Sequence, residues 1–128
     1  MARIWIIPIL IGSILLLDGC RNSRPLEVRV KSPGEILFYG KPDRRYAGEK
    51  NCISSIVVYL VPHDRDFSKK REVWNAYNSS GICADFIEFP NIPKNFVGEY
   101  TRTRLDKGHY QAQARIWVWD AEAEFDIE

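Results

Sequence analysis

The side chains that could do chemistry in this chain are few, and their spacing decides which chemistry is open to them. Cysteines stand at Cys20, Cys52 and Cys83. Zinc sites use paired Cys-x-x-Cys or His-x-x-x-His spacing, and the stretch from Cys52 to Cys83 offers His63 without a spaced partner. His63-Asp64-Arg65-Asp66 sets an imidazole beside two carboxylates. Adjacent residues of a charged loop point in different directions, so a solvated loop is expected there and not a general base held by an orienting acid. The second histidine, His109, falls in a turn sequence whose backbone geometry accounts for it. Ser54-Ser55 lacks the Gly-x-Ser-x-Gly surroundings of an exposed nucleophile, and no glycine loop for phosphate is present. These readings supply no catalytic residue, no cofactor-binding residue and no metal ligand, and a non-enzyme is expected.

The elements that carry these residues begin with an apolar run. Met1-Ala2-Arg3 holds one positive charge, Ile4 to Leu17 is almost unbroken hydrocarbon, and Leu17-Asp18-Gly19-Cys20 places a small residue before a cysteine. That order resembles the lipobox of bacterial lipoproteins, with Asp18 where a small or apolar residue is usual. The resemblance implies a signal peptide over residues 1–19. It also implies that Cys20 takes a diacylglyceryl group on its thiol and becomes the acylated N-terminus, followed by a lipidated tether over 20–25. Arg21 in place of an aspartate after the cysteine implies transfer to the outer membrane. The alternatives are an ordinary secretory signal and an uncleaved anchor. For the latter, about fourteen apolar residues interrupted by Pro8 and Gly12 fall short of the roughly 20 that span hydrocarbon. Each alternative takes the rest of the chain out of the cytoplasm.

In an oxidising compartment a disulfide persists, and with Cys20 acylated only Cys52 and Cys83 remain to pair. Two separate buried thiols are the alternative. The loop-entropy relation assigns such a bridge roughly 3 to 4 kcal/mol.

Without Arg3 and Asp18, one each from the 18 basic and 17 acidic side chains, the net charge stays +1. A nucleic-acid partner, which calls for a strong basic excess, is excluded on that balance. Apolar spacing in the remainder is mostly of period two, as in strands with one buried face. Leu26, Val28 and Val30 alternate with charges, Ser32-Pro33-Gly34 breaks the run, and Ile36 to Tyr39 follows. Ile56 to Val61 is apolar on both faces and is expected as a central strand, with further strands at Glu72–Tyr77, Ala84–Phe89 and Glu99–Arg104. The stretch Leu105-Asp106-Lys107-Gly108-His109-Tyr110-Gln111-Ala112 resembles the Asp-x-Gly-x-Tyr corner of immunoglobulin-like domains. In that family the tyrosine hydroxyl bonds back to the backbone at the entry to a strand. The expected fold is all-β, an antiparallel immunoglobulin-like β-sandwich of about seven or eight strands over residues 26–128.

The closing residues change parity. Tyr110, Ala112, Ala114, Ile116 and Val118 form an even apolar face, whereas Trp117, Trp119, Ala121, Ala123, Phe125 and Ile127 form an odd one. A bulge or a turn near Trp117–Ala121 is expected, and since no Gly, Asn or Pro marks a tight turn, a bulged strand and an irregular hairpin both stay open. Trp117 and Trp119 are expected in the core. Opposite the odd face stand Asp120, Glu122, Glu124, Asp126 and Glu128, a row expected to be the solvated face of an edge strand. Its functional reading is a surface for a basic partner, with Asp120, Glu122, Glu124 and Asp126 as the contact residues.

An acylated Cys20, a short tether, the early Ser32-Pro33-Gly34-Glu35 turn, the pair Cys52 and Cys83, and the Gly108-His109-Tyr110-Gln111-Ala112 strand entry are together similar to the small periplasmic lipoproteins described as type VI secretion immunity proteins. The resemblance implies a protein that binds and neutralises a toxin acting in the periplasm. The competing expectation is a structural or assembly lipoprotein of a cell-envelope or secretion machine.

Overall fold

The computed structural model describes residues 23–78 and 80–128. Cys20, the expected lipidation site, and the expected signal peptide 1–19 lie outside the described residues.

Alternating sequence makes alternating burial. Strand β1 (Ser23–Ser32) buries Arg24 and Leu26, β2 (Glu35–Gly40) buries Ile36, Phe38 and Gly40, and Pro33-Gly34 turns one into the other. β3 (Ile53–Val61) buries Ile53, Ile56, Val58 and Val61, while Val57 and Tyr59 on its other face stay partly covered. β4 (Arg71–Asn78), β5 (Phe86–Phe89), β6 (Phe96–Val97), β7 (Gly108–Ile116) and β8 (Trp119–Ile127) complete the set.

These eight strands form one sheet in the order β5-β2-β1-β8-β7-β3-β4-β6. The all-β class and the strand number are as the sequence led us to expect. The arrangement differs from two separate antiparallel sheets, because β1 serves both layers. Its first residues, Ser23 to Pro25, pair parallel with Asp120 to Glu122 of β8, and from Leu26 onward it pairs antiparallel with β2. The sheet is therefore mixed, and it curls so that side chains from strands far apart in the order meet across the core. Trp74 of β4 lies edge-on to Phe89 of β5 at 5.2 Å, and Phe38 of β2 lies edge-on to Phe125 of β8 at 5.9 Å. The space between is filled by Ile36, Ile53, Ile56, Val58, Ile87 and Ile116, all almost fully buried. Removing one of the large aromatics from such packing costs about 3–5 kcal/mol.

The two cysteines are bonded, with Cα atoms 5.4 Å apart. Beside them the backbone is joined independently: Ile53 and Ala84 exchange N–H···O bonds of 2.7 and 2.9 Å. The Tyr110 hydroxyl donates to the Asp106 carbonyl at 2.6 Å, so the corner at the entry to β7 is closed in the way its sequence suggested.

Three local expectations are corrected. Glu99–Arg104 is not a strand. Residues 101–104 are exposed and carry no apolar alternation; the segment is held instead by side chains, through Glu99 N–H to Asn75 Oδ1 and Tyr100 hydroxyl to Glu72 Oε2. The parity change is a turn, one of its two expected causes, but the hairpin is regular and there is no bulge. β7 and β8 are joined by the two-residue turn Trp117-Val118, with Ile116 opposite Trp119. Trp117 supplies the left-handed backbone, at φ +57, that such a turn ordinarily takes from Gly or Asn. Lastly, neither indole belongs to the core: Trp117 is 39% exposed, and Trp119 is half-buried under Tyr46, with Nε1 donating to Glu49.

A candidate partner-binding face with a histidine cluster

Because β7 and β8 pair residue for residue, their outward side chains form two matched rows. His109, Gln111, Gln113 and Arg115 stand opposite Asp126, Glu124, Glu122 and Asp120. All four carboxylates are exposed, as the sequence implied. Their strand is not an edge, however. β8 lies between β7 and β1, because the parallel pairing with Ser23–Pro25 covers its other side. The Asp120–Glu122 stretch is thus held from both sides, whereas Ala123–Ile127, with Glu124 and Asp126, pairs with β7 alone.

At one end of this face the sheet assembles a charged cluster. His109 Nδ1 lies 2.6 Å from Asp126 Oδ1, and its Nε2 lies 2.7 Å from Glu124 Oε1. Arg65, brought over by the loop after β3, places Nη1 2.9 Å from the same Nε2 and 3.8 Å from Glu124. An imidazolium donates to both carboxylates at once, and the arginine then serves Glu124 by charge. A neutral ring could instead accept a hydrogen bond from Arg65. Partial burial opposes the charged ring, and so does the nearby arginine, but the bonds to Glu124 and Asp126 prevail and raise the pKa above that of an ordinary imidazole. With both nitrogens occupied, the ring is an ionic clasp between strands, with no lone pair free to act as a base.

The remaining candidates do not converge on His109. Asp64 accepts from the Asp66 N–H, and Asp66 accepts from the N–H and hydroxyl of Ser68, so both carboxylates stabilise turns and neither orients His63. Ser54 donates its hydroxyl to the Arg115 carbonyl. No group of metal-binding side chains is found among the described residues. Two shallow grooves, of about 350 and 520 Å³, meet at this end and share Pro62, His63, Lys107, Gly108 and His109.

Farther along the face the polar groups are tied down. Lys70 lies 4.4 Å over the Tyr59 ring and donates to Gln111, which is buried yet satisfied. Among the described residues, Asp120 and Glu122 are in no ion pair, whereas Glu124 and Asp126 are engaged by His109 and Arg65. The unspent negative charge of the row therefore lies at its two ends, with Asp120 and Glu122 near the Trp117 turn and Glu128 beyond the histidine cluster.

The histidine cluster was missed in the sequence because the turn that sets its register carries no Gly or Asn. A two-residue turn at Trp117-Val118 fixes the register of the whole hairpin and puts His109 directly across from Asp126. No family model, curated protein or solved structure matches the chain.

Proposed function

We propose that this chain is a lipid-anchored binding protein of the bacterial periplasm that neutralises a secreted effector toxin, as type VI secretion immunity lipoproteins do. The observation that carries the reading is the Cys52–Cys83 bridge in a chain whose Leu17-Asp18-Gly19-Cys20 resembles a lipobox. A small domain stapled by a disulfide suits an oxidising compartment, and the lipobox supplies the route there. Binding in place of catalysis is favoured by the His109 ring, whose nitrogens are spent on structure.

The contact surface in this reading is the outward face of β8, Asp120, Glu122, Glu124 and Asp126, together with the loop from His63 to Arg71 that borders it. Fixed carboxylates on a sheet lose little entropy when a basic partner docks, and their field accelerates encounter. The experiment is deletion of the gene in a strain grown against siblings armed with the effector. The proposal expects contact-dependent killing that the wild-type gene reverses. A deletion strain that survives as well as its parent refutes the immunity role and turns attention to envelope assembly.

A further inference from the structure

Because β1 and β8 run parallel, both begin at the same end of the sheet. Ser23 pairs with Asp120, two residues past the Trp117-Val118 turn. Cys20 is three residues before Ser23, at most about 11 Å of chain. Ser23, which begins the described chain, and the turn thus share one end of the molecule.

That end is unlike a solvated loop cluster. Trp117 is 39% exposed, Val118 is 57% exposed, and Ile82, next to the bridged Cys83, is 49% exposed. Trp117 is held outward by its backbone, whose N–H donates to the Cys52 carbonyl at 2.8 Å. Glycine would take that left-handed conformation without strain.

A cationic segment borders the turn through Lys50 and through Tyr46 and Glu49 against Trp119. Residues 41–50 are mostly exposed and carry Lys41, Arg44, Arg45 and Lys50 against Asp43 and Glu49, a net charge of +2, while Asp120 and Glu122 alternate to the opposite face of β8 from Trp119. Asp43 is held by Arg45, whose side-chain hydrogen bond lowers the carboxyl pKa to about 2, and Glu49 accepts from Trp119. Lys41 and Arg44 have no acidic partner among the described residues, and the Lys50 ammonium lies 4.8 Å from the centre of the Trp117 ring. The rim is fixed to the start of β1. Tyr46 donates to the Ser23 carbonyl at 3.2 Å and packs under the Arg24 guanidinium, which donates to the Lys50 carbonyl at 2.8 Å.

We propose that this end is a membrane-contact surface, in which the Trp117-Val118 turn and Ile82 enter the interface of an anionic phospholipid leaflet while Lys41, Arg44 and Lys50 meet its headgroups. The inference rests on acylation of Cys20. Indoles favour the level between headgroups and acyl chains, and lysine and arginine are drawn to anionic lipid. A few such side chains hold a free protein weakly, but a lipid at Cys20 keeps them at high effective concentration beside the leaflet. Their role is orientation. With the turn seated, β8 stands away from the membrane, and its nine residues carry the His109 cluster about 30 Å outward.

The test uses the native full chain reconstituted into phosphatidylethanolamine–phosphatidylglycerol vesicles containing shallow brominated lipid. Intact mass first reports whether Cys20 carries lipid. The expected result is a quenched, blue-shifted component of tryptophan emission that is lost in Trp117→Gly, a change that suits the left-handed backbone, in a variant whose circular dichroism matches wild type. Equal quenching in wild type and Trp117→Gly overturns the proposal, as does unchanged access of aqueous iodide to Trp117 when vesicles are added. Protection of Trp117 by self-association without vesicles overturns it too, in favour of a second copy. If the mass shows no lipid, the anchoring reading falls separately. The same comparison on protein co-sedimented with these vesicles at low salt then decides the turn, and equal sedimentation of Trp117→Gly and wild type rejects it.

Discussion

Replacing both Cys52 and Cys83 with alanine removes the cross-link while leaving its surroundings joined, since Ile53 and Ala84 keep their two backbone hydrogen bonds beside it. The loss is therefore expected mainly in the unfolded chain, which regains the freedom of a loop closed over a separation of 31 residues. The chain-entropy relation gives about 12 cal/mol/K for such a loop, or roughly 3.7 kcal/mol at 25 °C. A folded unit of about 105 residues unfolds with an entropy near 220 cal/mol/K, so Tm should fall by about 17 °C. Calorimetry on wild type, on the double-alanine variant and on wild type held reduced would read it. Agreement between the reduced wild type and the variant assigns the loss to the bond. A fall of less than about 3 °C in both refutes the entropic reasoning. A stable reduced protein beside an unstable variant assigns the effect to packing of the sulfurs.

The raised pKa of His109 makes its clasp a source of pH-dependent stability. The sign follows from linkage: the contribution is complete below the ordinary imidazole value near 6.5 and is lost as pH rises through the higher folded value. Urea midpoints should thus decline above neutral pH in wild type and flatten in His109→Gln, and equal slopes would reject the clasp. Tyr110→Phe deletes the hydroxyl bond to the Asp106 carbonyl and should cost about 1–2 kcal/mol in urea titration; no measurable cost would leave the corner hydrogen bond without energetic weight. Neutralising Asp120 and Glu122, two carboxylates of the row outside any ion pair among the described residues, should slow association with the effector at low salt and leave dissociation nearly unchanged. The difference should vanish as screening shortens the field, and stopped-flow rates that ignore both substitution and salt would remove the row from the encounter.

Local alternation was readable wherever one face of a strand is buried. Leu26, Ala112, Ala114, Ile116, Phe125 and Ile127 are buried as their spacing implied, whereas Val30 and Val118, expected on the same faces, are exposed where the strand ends and the hairpin turns. The tyrosine corner was readable as well, because its chemistry is confined to a few consecutive residues. The Glu99–Arg104 stretch misled because threonine suits strands, yet no apolar partner waits for it. Long-range pairing left no local trace. Nothing in Ser23-Arg24-Pro25 announces a parallel partner at Asp120–Glu122, so β8 read as an edge and the sheet as two. That same pairing places the Trp117 turn beside the chain's exit toward Cys20. The turn itself was hidden by its composition, for a tryptophan occupies a position where Gly or Asn is the usual signal.

The central claim joins export to protection, and one competition assay addresses both. A deletion strain is complemented with the full gene or with a version beginning after residue 19 that remains in the cytoplasm, each matched for abundance, and survival against effector-armed siblings is counted. The account predicts full rescue by the exported, anchored chain and none by the retained one. Equal protection by both, or by neither, would contradict it.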